Sequence, residues 1–326
     1  MPLIDRVLRR RIAAKLDQLA AFRPFPPALA RQLDELVTVS MTYHSNALEG
    51  STMGLRDVDL ALGGFPLPAG HTAEEIAETI GHARAWHRVE AAVAGGAPLD
   101  AALVIELHDL LKPYHPQRGG WRTQQVYIRG AAHIPPPGGE VPRYMAEWIR
   151  WVNREEGDPL PRAAIVHAGF EAVHPFLDGN GRTGRLLLNW QLLRAGYPPA
   201  ILQVEERGRY LAALAAATPP APRDYAPLAQ LVAERVDAAL TLYLTTLVPD
   251  DRYRELPLTE AAARLGISAR RLRMLAAEGK LEARRHGSRW VTWPAALDAY
   301  RATRNPVGKP AGPPATAAPP PTGPAV

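Results

Sequence analysis

Across residues 3–247 apolar side chains recur every three to four positions and almost nowhere alternate. That period predicts helices, because it gathers i, i+3, i+4 and i+7 on one face. The expected helices cover 3–20, 28–48, 72–94, 99–112, 142–153, 161–173, 179–195 and 224–247. Breakers separate them: RPFPP follows the first, and Gly196 with Pro198 and Pro199 ends the seventh. Thr72, with Glu75 three residues on, has the form of a capping box. Residues 121–135 depart from the pattern. There QVYI leans to β-structure, Arg129-Gly130 suits a turn, and the prolines beyond confine any strand to an edge. A mainly α fold is expected: a helical bundle carrying a short β-hairpin.

A chain of 326 residues has room for two domains with ordinary cores. A hydrophobic content of 47% with 22% charge is that of a soluble globular protein. Cysteine is absent, which excludes disulfides, thiolate zinc sites and a cysteine nucleophile. The N-terminal MPLIDRVLRRRIAAKL lacks the apolar core of a signal peptide, and no run approaches a membrane span, so no membrane partner and a cytoplasmic location are expected. Charge is unevenly placed. Residues 251–305 hold 12 Lys/Arg and 6 Asp/Glu, a net +6 against +5 for the whole chain.

HPFLDGNGRTGR, His174 to Arg185, opens the helix over 179–195 in an unusual way. Arg182 and Arg185 fall in its first turns, where the helix dipole disfavours a cation by about 0.3–1 kcal/mol and favours an anion. Gly179-Asn180-Gly181 at a helix start lets backbone N–H groups approach an anion closely. Two arginines added to that cradle exceed what one carboxylate needs and match a polyphosphate. Asp178 would repel such a ligand unless a hard divalent cation, Mg²⁺, lay between them. His174 is suited to take a proton from a hydroxyl nucleophile. These parts point to nucleotidyl or phosphoryl transfer to a hydroxyl.

The stretch resembles the Fic-domain motif HPFx(D/E)GNGRxxR, with every specified position present. Nine fixed residue types give a chance match on the order of 10⁻¹¹ per starting position, at roughly 6% usage each. The resemblance implies that His174 is the general base toward a Ser, Thr or Tyr hydroxyl and that Phe176 anchors the loop. It implies that Asp178 holds Mg²⁺, that Gly179, Asn180 and Gly181 form the anion hole, and that Arg182 and Arg185 take the outer phosphates of ATP. A glycine at 181, where the relatives acting as kinases carry lysine, implies AMP transfer with pyrophosphate leaving. The hairpin with Val126, Tyr127 and Ile128 resembles the family's flap, which holds a target backbone by strand addition. RYLAALAAAT, 209–218, resembles the segment closing over the adenine; Tyr210 matches, while Thr218 stands where some relatives carry asparagine, which leaves the nucleotide base open. GGWR, 119–122, and EVPRYMAEWIRWVN, from Glu140, also resemble the family, and the likeness covers roughly 30–245.

SNALEG, 45–50, ends the helix over 28–48. Ser45 and Glu49 share a face at i, i+4, and Gly50 suits the position just past the helix. Glu49 is an acid at the negative end of a dipole, the mirror image of the misplaced arginines. The stretch resembles the Fic inhibitory motif (S/T)xxxE(G/N), in the class that carries it N-terminal to the core. That implies pairing of Glu49 with Arg185, occupation of the outer-phosphate site, and autoinhibition. In some relatives the same glutamate positions a water for removal of AMP. A homodimer would be compatible with control of this helix. The unidentified protein target, and the chain itself through auto-modification, are the implied partners.

Residues 258–304 follow another logic. A helix from Thr259, a turn at Gly266-Ile267-Ser268, a second helix to about Glu278 capped by Ser268, and a hairpin turning at His286-Gly287 resemble the winged helix-turn-helix of excisionase and MerR-type regulators. Arg270, Arg271 and Arg273 on the second helix, and Arg284, Arg285 and Arg289 on the wing, would face DNA. Such domains also serve as protein-interaction modules. The alternative function is a DNA-binding regulator whose Fic module senses nucleotide. The expected organisation is an N-terminal helical region with the inhibitory helix (1–60), a Fic catalytic core (61–247), a linker (248–256), a winged-helix domain (257–304) and a disordered tail (305–326).

Overall fold

A computed structural model describes residues 3–116, 118–128, 130–154, 156–220, 222–247, 254–286 and 289–304. The chain divides into two compact units, Met1–Leu247 and Val248–Val326. The boundary expected near residue 60 does not separate compact bodies, because the first helices are built into the same unit as the rest.

The described first unit is helical: α1 (Arg6–Ala20), α2 (Pro27–Leu48), α3 (Leu55–Leu62), α4 (Ala73–Ala94), α5 (Ala101–Leu111), α6 (Val141–Val152), α7 (Pro159–Val173), α8 (Asn180–Arg194), α9 (Arg207–Ala217) and α10 (Ala226–Leu247). Side-chain caps set several starts: Asp5 accepts from Val7 N at 2.9 Å, Thr72 from Glu75 N at 3.1 Å and Asp100 from Leu103 N at 2.8 Å. Asp5 explains why α1 begins at Arg6 rather than residue 3. Helix α8 runs through the middle of the unit. Leu186, Leu187, Leu188 and Trp190 are fully buried, and a helix apolar around its circumference belongs inside a core. Its neighbours supply Met41 (α2), Trp86 and Val89 (α4), Val104 and Leu107 (α5), Met145 (α6) and Phe170 (α7). Burying each large apolar side chain contributes about 1.5–3 kcal/mol.

Two α-helices of this unit were not anticipated. Helix α3 is short and buries only Val58 and Ala61, too little to register as a period. Helix α9 is alanine-rich, with Tyr210, Ala213 and Ala217 as its buried stripe. The hairpin expected over 121–135 is corrected. Its described residues form no strand and no ladder, and Arg129, placed in its turn, lies outside them. The physical reason is that carbonyls of the segment accept from side chains instead of from a partner strand, Gln124 O from Arg122 and Pro135 O from Gln125, with Pro136 O just beyond it also taken by Arg122.

The second unit holds β1 (Leu256–Pro257), α11 (Leu258–Leu265), α12 (Ala269–Ala277), β2 (Arg284–His286), β3 (Arg289–Thr292) and α13 (Pro294–Arg304). Strand order is β1-β3-β2, antiparallel throughout, with Leu256 opposite Thr292 and Arg285 opposite Trp290. Leu256, Leu258, Ala261, Leu272, Leu275, Leu281, Trp293 and Leu297 form its core. Ser268 caps α12, accepting from Arg271 N at 3.2 Å. Strand β1 begins at Leu256, inside the stretch expected as linker, and of that stretch 248–253 lie outside the described residues. So do Gly287 of the expected wing turn and the tail 305–326.

Candidate active site

Helix α7 ends at His174 in the left-handed conformation (φ 50°, ψ 61°), the one non-glycine residue with positive φ among those described. Such a backbone stores strain and persists only where the surroundings over-determine it. Arg122 supplies much of that support. Its guanidinium, 1% exposed, donates to His174 O at 2.7 Å, Val173 O at 3.2 Å, Gln124 O at 2.6 Å and Pro136 O at 2.8 Å. Its own N–H donates to Pro175 O at 2.9 Å. One buried arginine thus ties the 121–136 loop to the histidine. Phe176 anchors the next step, stacked on His108 with ring centroids 3.8 Å apart. Asn180 then clasps the same residue: Oδ1 accepts from Phe176 N at 2.9 Å and Nδ2 donates to Phe176 O at 2.8 Å. Its side chain is therefore committed to shaping the loop, leaving only its backbone to face an anion.

Gly179 (φ 77°) opens α8 with no side-chain cap, so the first-turn N–H groups keep no internal acceptor there. Arg182 and Arg185 are buried, 5% and 3% exposed. Each has found a carboxylate from another helix. Arg182 Nη1 meets Glu78 Oε2 at 2.5 Å, and Glu78 is also paired with Lys112. Lys112 Nζ reaches Asp178 Oδ2 at 2.7 Å. Burial would raise the Asp178 carboxyl, but Lys112, Arg182 and the Gly179 N–H outweigh it and hold it below the usual range. Asp178 is 56% exposed at its side chain and belongs to no group of three metal-ligating side chains among the described residues. That donor set fits Mg²⁺, which takes one carboxylate and fills its shell with water and phosphate oxygens.

Arg185 is met by the end of α2. Its Nε donates to Ser45 Oγ at 3.0 Å, and Nη2 donates to Ser45 O at 2.8 Å and Glu49 Oε1 at 2.8 Å. Helix α2 closes with both bonds of a Schellman turn, Gly50 N to Ala47 O at 3.1 Å and Ser51 N to Asn46 O at 3.1 Å, with Gly50 at φ 98°. The turn aims Glu49 at Gly181, where a Cβ would collide with the Glu49 carboxylate and lie 3.0 Å from Arg185 Nη1. An anion therefore stands on the first turn of α8, and it is the protein's own.

Behind Arg185 lies a buried polar layer. Tyr210 OH is 3.5 Å from Arg185 Nη1 and 2.8 Å from His167 Nε2. Tyr210 is 3% exposed and sits against the arginine. Burial pushes its phenol up. His167 is held below its ordinary value, chiefly by burial. Glu171 lies one turn before His174, its Oε2 3.6 Å from His174 Nδ1. Thr218 is also buried and donates to Leu214 O at 3.1 Å.

The structure thus gathers His174, Phe176, Asp178, Gly179, Asn180, Gly181, Arg182, Arg185, Tyr210, Ser45, Glu49 and Gly50. Val126 and Ile128 are half-buried in the loop and Tyr127 is 75% exposed. Glu78, Lys112, Arg122, His167 and Glu171 were missed as site residues. Arg122 had a signal, the GGWR text; Glu78 and Lys112 are ordinary helix-surface residues in sequence, and only the fold turns them inward. Arg270, Arg271, Arg273, Arg285 and Arg289 are exposed on the second unit, while Arg284 is half-buried and 3.6 Å from Glu255.

Known proteins resemble the chain in sequence and in fold. Residues 98–192 match the family model described as Fic/DOC family. The chain is similar to Protein adenylyltransferase Fic of Drosophila yakuba, 33% identical over 246 residues, 74% of this chain and 48% of that protein. It is also similar to the protein of that name in Drosophila melanogaster, 34% identical over 236 residues, 71% of this chain and 47% of that one. The chain spans about half the length of these curated relatives. Among solved structures, Fic-1 from C. elegans is 29% identical with a TM-score of 0.64, over 73% of this chain and 72% of that chain. A Fic-domain-containing signaling protein from Bacteroides thetaiotaomicron, 23% identical, shares the fold with a TM-score of 0.68 over 73% of this chain and 97% of that chain. The chain is a Fic-domain protein, homologous to the Fic protein adenylyltransferases.

Proposed function

We propose that this chain transfers AMP from ATP to a Ser, Thr or Tyr hydroxyl of a protein, itself included, and that Glu49 keeps it inactive by holding Arg185. The observation that carries the reading is the Glu49 carboxylate on Arg185 and over Gly181, where the outer phosphate of a bound nucleotide would otherwise stand. In the reaction His174 accepts the hydroxyl proton and the oxygen forms a bond to the α-phosphorus. The bond from that phosphorus to the bridging oxygen breaks, and pyrophosphate leaves with the electron pair. Arg182, Arg185 and the α8 N–H groups hold the phosphate charge. Mg²⁺, held by Asp178, would neutralise phosphate charge when bound. With Glu49 retained, the same residues would serve removal of AMP by water. No described helix is long and apolar enough to cross a membrane.

The test is auto-modification with labelled ATP and Mg²⁺ by the wild type, Glu49→Gly, and Glu49→Gly with His174→Ala. Label should rise in the single variant and vanish in the double. A blank in all three, with UTP, GTP and CTP also tried, would overturn the enzyme reading.

For the second unit we propose a winged-helix role in DNA contact. The observation favouring it is that α12 buries Leu272, Leu275 and Ala276 while exposing Arg270, Arg271 and Arg273. A gel shift on duplex DNA across salt concentrations should show binding that weakens steeply with salt. Absence of binding at low salt would remove the proposal and leave the protein-interaction role.

A further inference from the structure

Three buried polar atoms lie together behind the histidine with no hydrogen-bond partner among the described residues: His174 Nδ1, Glu171 Oε1 and His167 Nδ1. Buried polar atoms are nearly always paired, so three orphans in one place call for an explanation. They belong to one face of α7, since 167, 171 and 174 follow at i, i+4 and i+7. Gly184 of α8 is the residue that Glu171 and His167 pack on. A Cβ there would lie 2.5 Å from Glu171 Oε1 and 2.8 Å from His167 Nδ1. Glu171 is 6% exposed. Burial alone would raise its carboxyl, but His174, His167 and Arg185 hold it low, so it is an ionised acceptor facing two imidazoles.

The direction of the hydrogen bonds can be read from Arg185, which has only donors. Its Nη1 points at Tyr210 OH, so the phenol accepts there and gives its own proton to His167 Nε2. His167 is then protonated on Nδ1, the nitrogen beside Glu171. The second carboxylate oxygen, 3.6 Å from His174 Nδ1, is just beyond hydrogen-bond reach, and small side-chain adjustments bring it within reach. A proton on His174 Nδ1 leaves the lone pair on Nε2.

We propose that Glu171 is a positioning residue that fixes His174 in its Nδ1–H tautomer, with Nε2 free to accept the proton of the target hydroxyl. The inference rests on the adenylyl-transfer reading. Glu171 takes no proton itself; it orients the imidazole and stabilises the imidazolium formed as the hydroxyl proton arrives. Hydrogen bonds join Arg185 to Tyr210 and Tyr210 to His167, and His167 and Glu171 both pack on Gly184, so this polar layer lies between the nucleotide-binding arginine and the base.

The experiment uses the full-length chain. Nitrogen-15 NMR of the histidine rings, with His174 assigned by His174→Gln, reads the tautomer in the otherwise unaltered protein. Glu171→Gln and Glu171→Asp are then compared in the Glu49→Gly background. A glutamine offers one donor and one acceptor, so it cannot accept from both histidines. The expected result is an Nδ1–H tautomer in the wild type, lost in Glu171→Gln. The rate constant at saturating ATP should fall about 10²–10⁴-fold, with KM for ATP within about twofold, and Glu171→Asp should recover part of the rate. An Nε2–H tautomer in the wild type would overturn the proposal whatever the activity. So would an unchanged rate in Glu171→Gln, or a loss appearing in KM alone. A Glu49→Gly background without any transfer would instead refute the adenylyl-transfer reading, and the NMR result would still decide the tautomer.

Discussion

Removing the Glu49 carboxylate should tighten ATP binding and loosen the empty protein at the same time. The contact broken is one charge-assisted hydrogen bond of 2.8 Å to a guanidinium 4% exposed at its side chain. Such a bond contributes about 1.5–3 kcal/mol. Glu49 itself is 41% exposed, and water screens that end, so the lower part of the range applies, about 1.5–2 kcal/mol. If ATP binds productively only when the carboxylate has left Arg185, its apparent Kd is the intrinsic value divided by the open fraction. At about 1.4 kcal/mol per factor of ten, Glu49→Gly should lower the apparent Kd for ATP with Mg²⁺ by roughly 10–30-fold. The empty variant should melt about 2–8 °C lower, because Arg185 keeps only Ser45 and the Tyr210 hydroxyl as partners. Isothermal titration and thermal melts read the two effects, and saturating ATP should erase the melting difference. Raising salt should narrow the gap in Kd, since half of the latch faces solvent. A Kd equal within about twofold in wild type and variant would refute the claim that Glu49 and the phosphates compete for one place.

Further expectations concern the frame around that latch. Arg122→Ala leaves four carbonyl oxygens without their donor and should destabilise the protein by about 3 kcal/mol or more, a melting shift of roughly 6–12 °C; Arg122→Lys should not rescue it, because an ammonium cannot reproduce the fork. Gly181→Ala should displace Glu49 without activating transfer, because its Cβ occupies the space a phosphate oxygen needs; activity matching Glu49→Gly would contradict this. His82 is pushed down to about 3 by burial, with Arg185 and Arg182 adding to the effect. The folded protein therefore stays neutral there while the unfolded chain takes a proton below about pH 6.5, so stability falls as pH drops. Between pH 6.5 and 5 this histidine alone should remove about 1.6 kcal/mol, read as a shift in urea midpoint that shrinks in His82→Gln.

What could be read from residues alone, and what could not, divides along physical lines. The helices with long apolar stripes were legible because a stripe is a local property; α3, eight residues with two buried side chains, has almost none to show. His174 to Arg185 was legible because its residue types conflict with the helix they open. Glu49 was legible for the mirror reason. The partner of Arg182 was not. Glu78 lies mid-helix in α4, where a glutamate violates nothing locally, and only the packing of α4 against α8 brings it to the arginine. Glu171 was hidden in the same way. The hairpin at 121–135 failed because β-leaning residues need a partner strand, and here a buried arginine took the backbone acceptors.

These contacts also bear on why one carboxylate should act as the switch. The described cations at the start of α8 and beside it, Lys112, Arg182 and Arg185, are matched one for one by Glu49, Glu78 and Asp178, with Glu74 also 3.9 Å from Lys112, so the closed cluster carries no net positive charge. A cluster without net positive charge has little attraction for a triphosphate. Glu78 is not free to leave, since it is fixed mid-helix between Lys112 and Arg182. Asp178 is tied to Lys112 and to the Gly179 N–H. Glu49 alone of the three sits at a helix end, followed by a glycine at φ 98°, and can swing away without breaking an internal helix bond. Its departure leaves at most a single net positive charge, too little to balance a triphosphate, and a divalent cation on Asp178 would supply the rest. Opening of the latch and arrival of the metal are then complementary halves of one charge requirement. It follows that EDTA should weaken ATP binding in Glu49→Gly by a larger factor than the latch does in the presence of Mg²⁺. Metal-independent ATP binding in that variant would show that the arginines suffice alone.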